Sequence, residues 1–112
     1  MTSLSTHVLD TAHGRPAAGV KLKLVQGGVT LFEGETDADG RCPALGQASD
    51  FTPGVYALEF RTADYFRGLG VELADPPFLD VITIEFGIAK DGGHYHVPLL
   101  VSPFSYSTYR GS

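Results

Sequence analysis

Apolar and polar side chains alternate with a period of two along most of this 112-residue chain, and that pattern limits the folds open to it. Residues 20–24 carry three apolar side chains separated by two lysines, and residues 80–88 place Ile82, Ile84 and Phe86 two positions apart. Successive side chains of a β-strand point to opposite faces, so this spacing predicts strands that each bury one face.

Turn-forming residues divide the alternation into short elements. The 14 glycines and 7 prolines are spread along the chain, which favours many short strands. The pattern predicts strands over residues 4–9, 20–24, 29–35, 55–61, 80–88, 94–102 and 105–112. One helix is predicted over residues 63–69, with Thr62 as its N-cap and Gly70 after its end. These elements predict an all-β fold, a two-sheet β-sandwich with one short helix that forms a single domain over residues 1–112.

The charge balance and the cysteine count exclude several classes of protein. Thirteen acidic residues against eight basic ones give a formal charge of −5, which argues against nucleic acid or an anionic membrane surface as the main partner. No apolar run approaches the roughly 20 residues of a membrane span, and the first ten residues do not resemble a signal peptide. The single cysteine, Cys42, cannot form an intrachain disulfide and is expected in the core. We therefore expect a cytoplasmic protein.

Three of the four histidines lie within predicted strands and are candidates for chemistry. His94 and His96 are two residues apart and project from one face of the same strand, while His7 lies on another strand. An imidazole titrates near pH 6.5, so it can donate and accept protons at neutral pH. The pattern fits partly exposed strand positions, an acid–base site or a three-histidine zinc site. His13 lies in a loop rich in glycine and proline and is expected to be solvated.

Arg41 and the C-terminal segment are the remaining candidates. Arg41 follows the tight Asp39–Gly40 turn and is either an exposed strand start or a guanidinium fork that clamps a carboxylate or an amide oxygen. Residues 106–112 keep strand-like content up to the last residue, with Tyr109 on the same face as Gly111. The pattern alone favours an edge strand that closes the sheet.

Four segments together resemble the transthyretin-like 5-hydroxyisourate hydrolase family. They are Leu4-Ser5-Thr6-His7-Val8-Leu9-Asp10, Asp39-Gly40-Arg41, His94-Tyr95-His96-Val97-Pro98-Leu99-Leu100 and Tyr109-Arg110-Gly111-Ser112. The resemblance runs the whole length of the chain in the same order, and the terminal tetrapeptide is a specific marker of the family. Transthyretin, the hormone carrier of the same fold, has different residues at the histidine and arginine positions and lacks this ending. The resemblance is therefore to the enzyme branch.

The resemblance implies a transthyretin-like sandwich that assembles as a homotetramer, a dimer of dimers. The channel between the dimers would be lined by the strand faces that carry His7, His96 and Tyr109. Active sites would then lie at the dimer–dimer interface, shared between subunits.

The reaction implied by the resemblance is hydrolysis of the cyclic amide of 5-hydroxyisourate to 2-oxo-4-hydroxy-4-carboxy-5-ureidoimidazoline, a step of urate and purine degradation. It needs an activated water, stabilisation of a developing oxyanion and a proton for the leaving nitrogen. The resemblance implies His7 as the general base, Arg41 as the group that binds the substrate oxygens, and His96 as an orienting and proton-relaying group. Tyr109 and Ser112, with its terminal carboxylate, would contact the substrate ring. No metal ion or other cofactor is expected.

Three alternatives stay open on the residues alone. A non-enzymatic small-ligand carrier of the transthyretin type is expected to line the channel with apolar or small residues. A zinc-dependent cyclic amidohydrolase would use His7, His94 and His96 as ligands, whereas the hydrolase hypothesis leaves His94 at the channel margin, where it captures only adventitious zinc. A third alternative, a sandwich domain used only for adhesion, would not explain the terminal tetrapeptide.

Overall fold

In the computed structural model, which describes residues 2–112, eight strands form two four-stranded sheets packed face to face. The strands are β1 (Thr2–Asp10), β2 (Arg15–Pro16), β3 (Lys21–Gln26), β4 (Val29–Glu35), β5 (Gly54–Arg61), β6 (Val81–Ile88), β7 (Gly93–Val101) and β8 (Tyr106–Thr108). Helix α1 spans Thr62–Gly68, and a 3₁₀ helix spans Pro43–Gln47. The first sheet has the strand order β2-β1-β7-β8, and the second sheet has the order β4-β3-β5-β6. The predicted all-β two-sheet sandwich with one short α-helix is confirmed.

The predicted faces of β1 are confirmed as well. In β1, Leu4, Thr6 and Val8 are buried, while Ser5 and His7 are half-buried on the opposite face. The two sheets exclude water only from the faces that they turn toward each other, so one side of each long strand enters the core. The histidine-bearing face of the first sheet is left outside that core.

The core lies between the sheets and extends under the helix. Its largest fully buried side chains are Tyr56, Phe51, Phe60, Phe66, Leu22, Leu24, Leu45, Leu58 and Leu99. Each buried leucine or phenylalanine stabilises the fold by about 1.5–3 kcal/mol relative to an exposed position. Cys42 is buried with a free thiol, as expected.

The helix begins one residue earlier than predicted and is not capped by Thr62. Arg61 is the N-cap residue, and Thr62 is the first residue of the helix. The Thr62 hydroxyl instead donates to the carbonyl oxygen of Asp80 at 2.9 Å, because its buried side chain faces the start of β6. Gly70, with φ of 83°, follows the end of the helix as predicted. No helix described within residues 2–112 is both long and apolar enough to cross a membrane.

The last strand is shorter than predicted, and the 3₁₀ helix is not predicted at all. β8 contains three residues instead of the expected 105–112. Beyond β8 the guanidinium of Arg110 stacks on the ring of Tyr95 in β7, and the backbone pairs with β7 through an isolated bridge between Gly111 and His96. The 3₁₀ helix buries only Leu45, so it lacks the apolar periodicity that would reveal it.

A buried carboxylate at the end of β1 joins the first sheet to α1. Asp10 is 1% exposed and accepts hydrogen bonds from the Tyr65 hydroxyl at 2.8 Å and from Nδ1 of His13 at 2.7 Å. Burial raises the pKa of Asp10, but these hydrogen bonds outweigh burial and hold its pKa below the ordinary value. Burial and the contact with Asp10 raise the pKa of Tyr65 to about 12. The side chain of His13, expected to be solvated, is 36% exposed and paired with Asp10.

Candidate active site

Backbone pairing brings three of the predicted site residues onto the outer face of the first sheet. β1 and β7 pair in parallel, with Ser5 opposite His96 and His7 opposite Pro98. Along the other edge of β1, an isolated antiparallel bridge pairs His7 with Arg41. Residues that are remote in the sequence therefore lie on adjacent backbone segments.

The turn before Arg41 is shaped to lie against β1. The Asp37 carboxylate accepts a hydrogen bond from the backbone N–H of Arg41 at 3.0 Å, and the Gly40 carbonyl accepts one from the N–H of Val8 at 2.8 Å. Gly40 has φ of 77°, and a Cβ on it would clash with the carbonyl oxygen of Val8. Only glycine fits this position, so the turn delivers Arg41 to the side of His7.

The tautomer of His7 follows from its one side-chain hydrogen bond. Nε2 of His7 lies 2.8 Å from the backbone carbonyl oxygen of Asp39. Because a carbonyl oxygen only accepts, Nε2 carries the proton, and Nδ1 of the neutral ring holds the lone pair. Nδ1 has no hydrogen-bond partner within residues 2–112, so it is free to accept a proton from a bound water.

The surroundings of His96 favour its neutral form. Burial lowers the pKa of His96, and the positive charge of Arg41, together with the neighbouring His94 and His7, lowers it further. Nδ1 of His96 lies 2.7 Å from the hydroxyl oxygen of Ser5. Nε2 is therefore the ring nitrogen left for a ligand, and at neutral pH the ring is uncharged.

Two serines of β1 connect the two histidines of β7. The hydroxyl oxygen of Ser3 lies 2.6 Å from Nδ1 of His94, and that of Ser5 lies 2.9 Å from Nε2 of the same ring. The parallel register causes these contacts, since Ser3 is opposite His94 and Ser5 is opposite His96. The two imidazole rings stack with centroids 6.4 Å apart and 13° between their planes. Both nitrogens of His94 are thus engaged within the chain.

The C-terminal segment lies directly against His96. The N–H of Gly111 donates to the carbonyl oxygen of His96 at 2.8 Å, and a Cβ on Gly111 would overlap the His96 ring. The guanidinium of Arg110 lies 4.0 Å over the ring of Tyr95 and donates to the carbonyl oxygen of His94 at 3.4 Å. These contacts anchor the tail beside the histidines.

Tyr109 and Ser112 do not join this group within one chain. Tyr109 is 61% exposed and, with Phe86 and Tyr95, lines a cavity of about 440 Å³ at the edge formed by β6 and β8. Ser112 is exposed at the end of the tail. Within residues 2–112 neither residue makes a hydrogen bond to either site histidine. Their roles as catalytic and substrate-binding residues stay predictions.

The histidines do not form a metal centre within the described part of the chain. Residues 2–112 contain no group of three or more histidine, cysteine, aspartate or glutamate side chains placed to hold a metal ion. Both nitrogens of His94 face serine hydroxyls instead. The three-histidine zinc alternative therefore lacks the ligand geometry that it requires in one protomer.

Sequence reasoning does not identify Ser5, Arg110 or Gly111 as parts of this site. Ser5 shares the face of His7, but its contact with His94 and His96 depends on the parallel register, which an alternating pattern does not specify. The terminal tetrapeptide does carry a signal for Arg110 and Gly111. Their contacts are with backbone and ring atoms of β7, however, and no property of the two residues alone indicates these.

Comparisons with known sequences find similar proteins over almost the whole chain. A model of the HIUase/Transthyretin family matches residues 4–111. A 5-hydroxyisourate hydrolase of Pseudomonas aeruginosa is 53% identical over 123 residues, covering 100% of this chain and 93% of the relative. One from Ralstonia nicotianae is 50% identical over 117 residues and covers 100% of both chains.

Comparisons with solved structures extend the likeness to the whole fold. The structure of Klebsiella pneumoniae 5-hydroxyisourate hydrolase superposes with a TM-score of 0.86 at 38% identity, covering 100% of both chains. Sea bream transthyretin in complex with thyroxine superposes with a TM-score of 0.81 at 36% identity, covering 96% of this chain and 92% of that one. Both an enzyme and a hormone-binding protein thus share this architecture.

Proposed function

Because the chain belongs to the HIUase/Transthyretin family, we propose that it is a 5-hydroxyisourate hydrolase, an enzyme that opens a cyclic amide ring with water. Relatives of that name match the full chain at 53% and 50% identity. The observation that carries the proposal is the juxtaposition of His7, Arg41 and His96 on one face of the first sheet. Two imidazoles and a guanidinium supply the base, the proton relay and the oxyanion partner that amide hydrolysis needs.

The first step is attack of water on the amide carbonyl carbon. His7 accepts a proton from the water through Nδ1, while its Nε2–H stays on the carbonyl oxygen of Asp39. The new C–O bond forms as the carbonyl π electrons move onto oxygen, which gives a tetrahedral oxyanion. The guanidinium of Arg41 binds the substrate oxygens and stabilises that developing charge.

The second step is collapse of the tetrahedral intermediate. The C=O bond forms again, the C–N bond breaks, and the ring nitrogen leaves with the electron pair. His7 gives up the proton that it accepted from water, and His96 relays that proton to the leaving nitrogen. One water has then been added across the C–N bond. The expected product is 2-oxo-4-hydroxy-4-carboxy-5-ureidoimidazoline. The scheme needs no metal ion or other cofactor, since placed imidazoles contribute roughly 10²–10⁴-fold by acid–base catalysis alone.

The proposed assembly is a homotetramer, a dimer of dimers with one domain of residues 1–112 in each protomer and active sites at the dimer–dimer interface. The outer face of the first sheet carries the histidines and is not covered by this chain's own core. Phe104, in the turn between β7 and β8 of the same sheet, is 74% exposed. In the assembly, Tyr109 and Ser112 would reach the substrate from a neighbouring protomer.

A non-enzymatic carrier is the second candidate, and the likeness to the thyroxine complex of sea bream transthyretin favours it. Such a carrier would bind a small aromatic ligand without changing it. Two half-exposed imidazoles beside a guanidinium suit that task poorly, because each charged or polar group loses water when an apolar ligand covers it.

The direct experiment follows the ultraviolet absorbance of 5-hydroxyisourate generated in place by urate oxidase. The wild-type protein is expected to accelerate its decay to a product of single handedness. His7→Ala and His96→Ala are expected to lower kcat by roughly 10²–10⁴-fold without changing the circular dichroism spectrum. His13→Ala, a histidine substitution away from the site, is the matched control and should leave kcat unchanged.

Several outcomes would contradict the proposal. Decay at the uncatalysed rate with wild-type protein would leave the carrier candidate, and calorimetric binding of thyroxine would then support it. Near-normal turnover by His7→Ala would remove that residue from the role of general base. Loss of activity after chelator treatment, restored by zinc, would favour the zinc-dependent alternative.

A further inference from the structure

The contacts that join Ser3, His94, Ser5 and His96 form a continuous chain that the mechanism above does not use. We propose that Ser5 and His94 are positioning residues that allow His96 to present Nε2 to the substrate either with or without a proton. Protons shift along this chain to interchange the two forms, with one proton exchanged at Nε2 of His96 and one exchanged with solvent water at Ser3. The inference rests on the proposed function, since it deepens the relay role of His96.

The number of protons in the chain explains why two forms exist. The three contacts measure 2.6, 2.9 and 2.7 Å, so each is short enough to hold one hydrogen bond. A serine hydroxyl has one proton and can accept as well as donate. A neutral imidazole has one N–H and one lone pair on its two nitrogens. Each contact can therefore hold one proton in either direction.

In the first form, every proton points toward His96. The hydroxyl of Ser3 donates to Nδ1 of His94, Nε2–H of His94 donates to Ser5, and the hydroxyl of Ser5 donates to Nδ1 of His96. The neutral ring of His96 then carries its own proton on Nε2. In this form His96 is a donor toward the substrate.

In the second form, every proton points the other way. Nδ1–H of His96 donates to Ser5, the hydroxyl of Ser5 donates to Nε2 of His94, and Nδ1–H of His94 donates to Ser3. Nε2 of His96 then holds a lone pair and accepts a proton from the substrate side. Going from the first form to the second, Nε2–H of His96 passes to the substrate side, one proton crosses each contact, and Ser3, whose contact with His94 is exposed, takes up a replacement proton from solvent water. The reverse change releases that proton at Ser3, so the chain is neutral in both forms.

The surroundings of His96 suit this exchange. Burial and the nearby charge of Arg41 lower the pKa of His96, which favours the neutral ring on which both forms depend. Within the described chain, Nε2 of His96 has no hydrogen-bond partner, so either form can be presented to a ligand. A relay residue must accept a proton from one group and give it to another. When His96 gives up its Nε2 proton, the interchange keeps the ring neutral, and the proton that it next accepts at Nε2 restores the first form while Ser3 returns one proton to solvent water.

The first test distinguishes the effect of the Ser5 hydroxyl group from the effect of side-chain volume at this position. Ser5→Ala is expected to lower kcat roughly 10- to 100-fold, the usual cost of losing a group that orients a functional histidine, with KM little changed. Ser5→Thr keeps the hydroxyl and is expected to restore most of the activity. Thr30→Ala, which removes an exposed hydroxyl from the second sheet, is the control and should match wild type.

The second test asks whether Ser5 and His94 act as one unit. If protons move along the chain, His94→Ala added to Ser5→Ala is expected to cost nothing more than Ser5→Ala alone. Multiplicative losses from the two substitutions would show independent roles and overturn the proposal. Normal kcat in Ser5→Ala would overturn it as well, while the hydrolase activity itself would stand.

The third test does not depend on activity. Ring ¹⁵N chemical shifts of His96 report how the proton is divided between Nδ1 and Nε2, and wild-type protein is expected to show values averaged over both tautomers. Ser5→Ala is expected to shift them to those of a single tautomer, and Ser5→Thr to leave them averaged. Identical shifts in wild type and Ser5→Ala would exclude the chain, even if the protein proved not to hydrolyse 5-hydroxyisourate.

Discussion

At position 41 the shape of the cation matters as well as its charge. A guanidinium presents a planar fork of donors to two oxygens at once, whereas an ammonium is a compact point charge. Arg41→Lys is therefore expected to lower kcat/KM by about 10²-fold, the usual cost of losing an oxyanion donor. Arg67→Lys, at an exposed arginine 3.9 Å from Asp64, is the matched control and should leave kcat/KM unchanged. Unchanged kcat/KM in Arg41→Lys would reduce Arg41 to a structural residue.

Gly111 matters to the site because it has no side chain. Because a Cβ on Gly111 would overlap the ring of His96, Gly111→Ala must displace either that ring or the tail. A displacement of about 1 Å in a catalytic group can cost 10²-fold, so we expect a loss of kcat of that order. Gly68→Ala is the control, since its added methyl group meets no atom within 4 Å. Equal activity of both variants would show that the tail does not set the position of His96.

At the scale of elements, the parallel pairing of β1 with β7 builds the site. The two strands run side by side over nine residue pairs, from Thr2 opposite Gly93 to Asp10 opposite Val101. In a parallel pair, residues of the same face stay in step along both strands. The serines of β1 therefore meet the histidines of β7 one by one.

The link between β1 and α1 predicts an acid-sensitive contribution to stability. The pKa of Asp10 lies below its ordinary value of 3.8 in the fold, so the unfolded chain binds this proton more readily. The stabilisation is present above the unfolded pKa and is lost as the pH falls through the folded pKa. Asp10→Asn is expected to lower the free energy of unfolding at neutral pH by about 1–3 kcal/mol.

Thermal unfolding measured from pH 7 to pH 2 checks this prediction. The Tm difference between wild type and Asp10→Asn should shrink as the pH falls below about 4. Asp64→Asn, at an exposed carboxylate on α1, is the control, because an exposed ion pair contributes little. A Tm difference that stays constant over the whole range would contradict the assignment to Asp10.

At the scale of the whole molecule, the exposed end of the first sheet predicts assembly. Light scattering is expected to give four times the 11.9 kDa mass of one chain. Phe104→Glu is expected to yield smaller species and to lower activity, because a charge there opposes burial between protomers. Phe78→Glu, at an equally exposed phenylalanine (75%) before β6 of the second sheet, should remain tetrameric. A wild-type monomer with full activity would contradict the shared site.

The architecture could be predicted from the sequence to a large extent, because strand periodicity is a local property. Each alternating segment shows by itself which of its faces is buried, so the sandwich and the outward position of His7 and His96 follow from neighbouring residues alone. The identity of the polar groups is compatible with acid–base chemistry, but by itself it does not distinguish such a site from exposed strand positions or a zinc site. Errors occur where a tertiary partner competes with a local preference, as at Thr62, whose hydroxyl bonds Asp80 instead of capping the helix.

The arrangement of the site was decided by contacts between distant segments. Register is not encoded in alternation, since any even shift of β7 along β1 would bury the same faces. Only the folded chain places Ser5 between His94 and His96, lays Gly111 against the His96 ring and brings the turn before Arg41 to the edge of β1. The local pattern selects the face on which chemistry occurs, and long-range pairing determines which groups meet there.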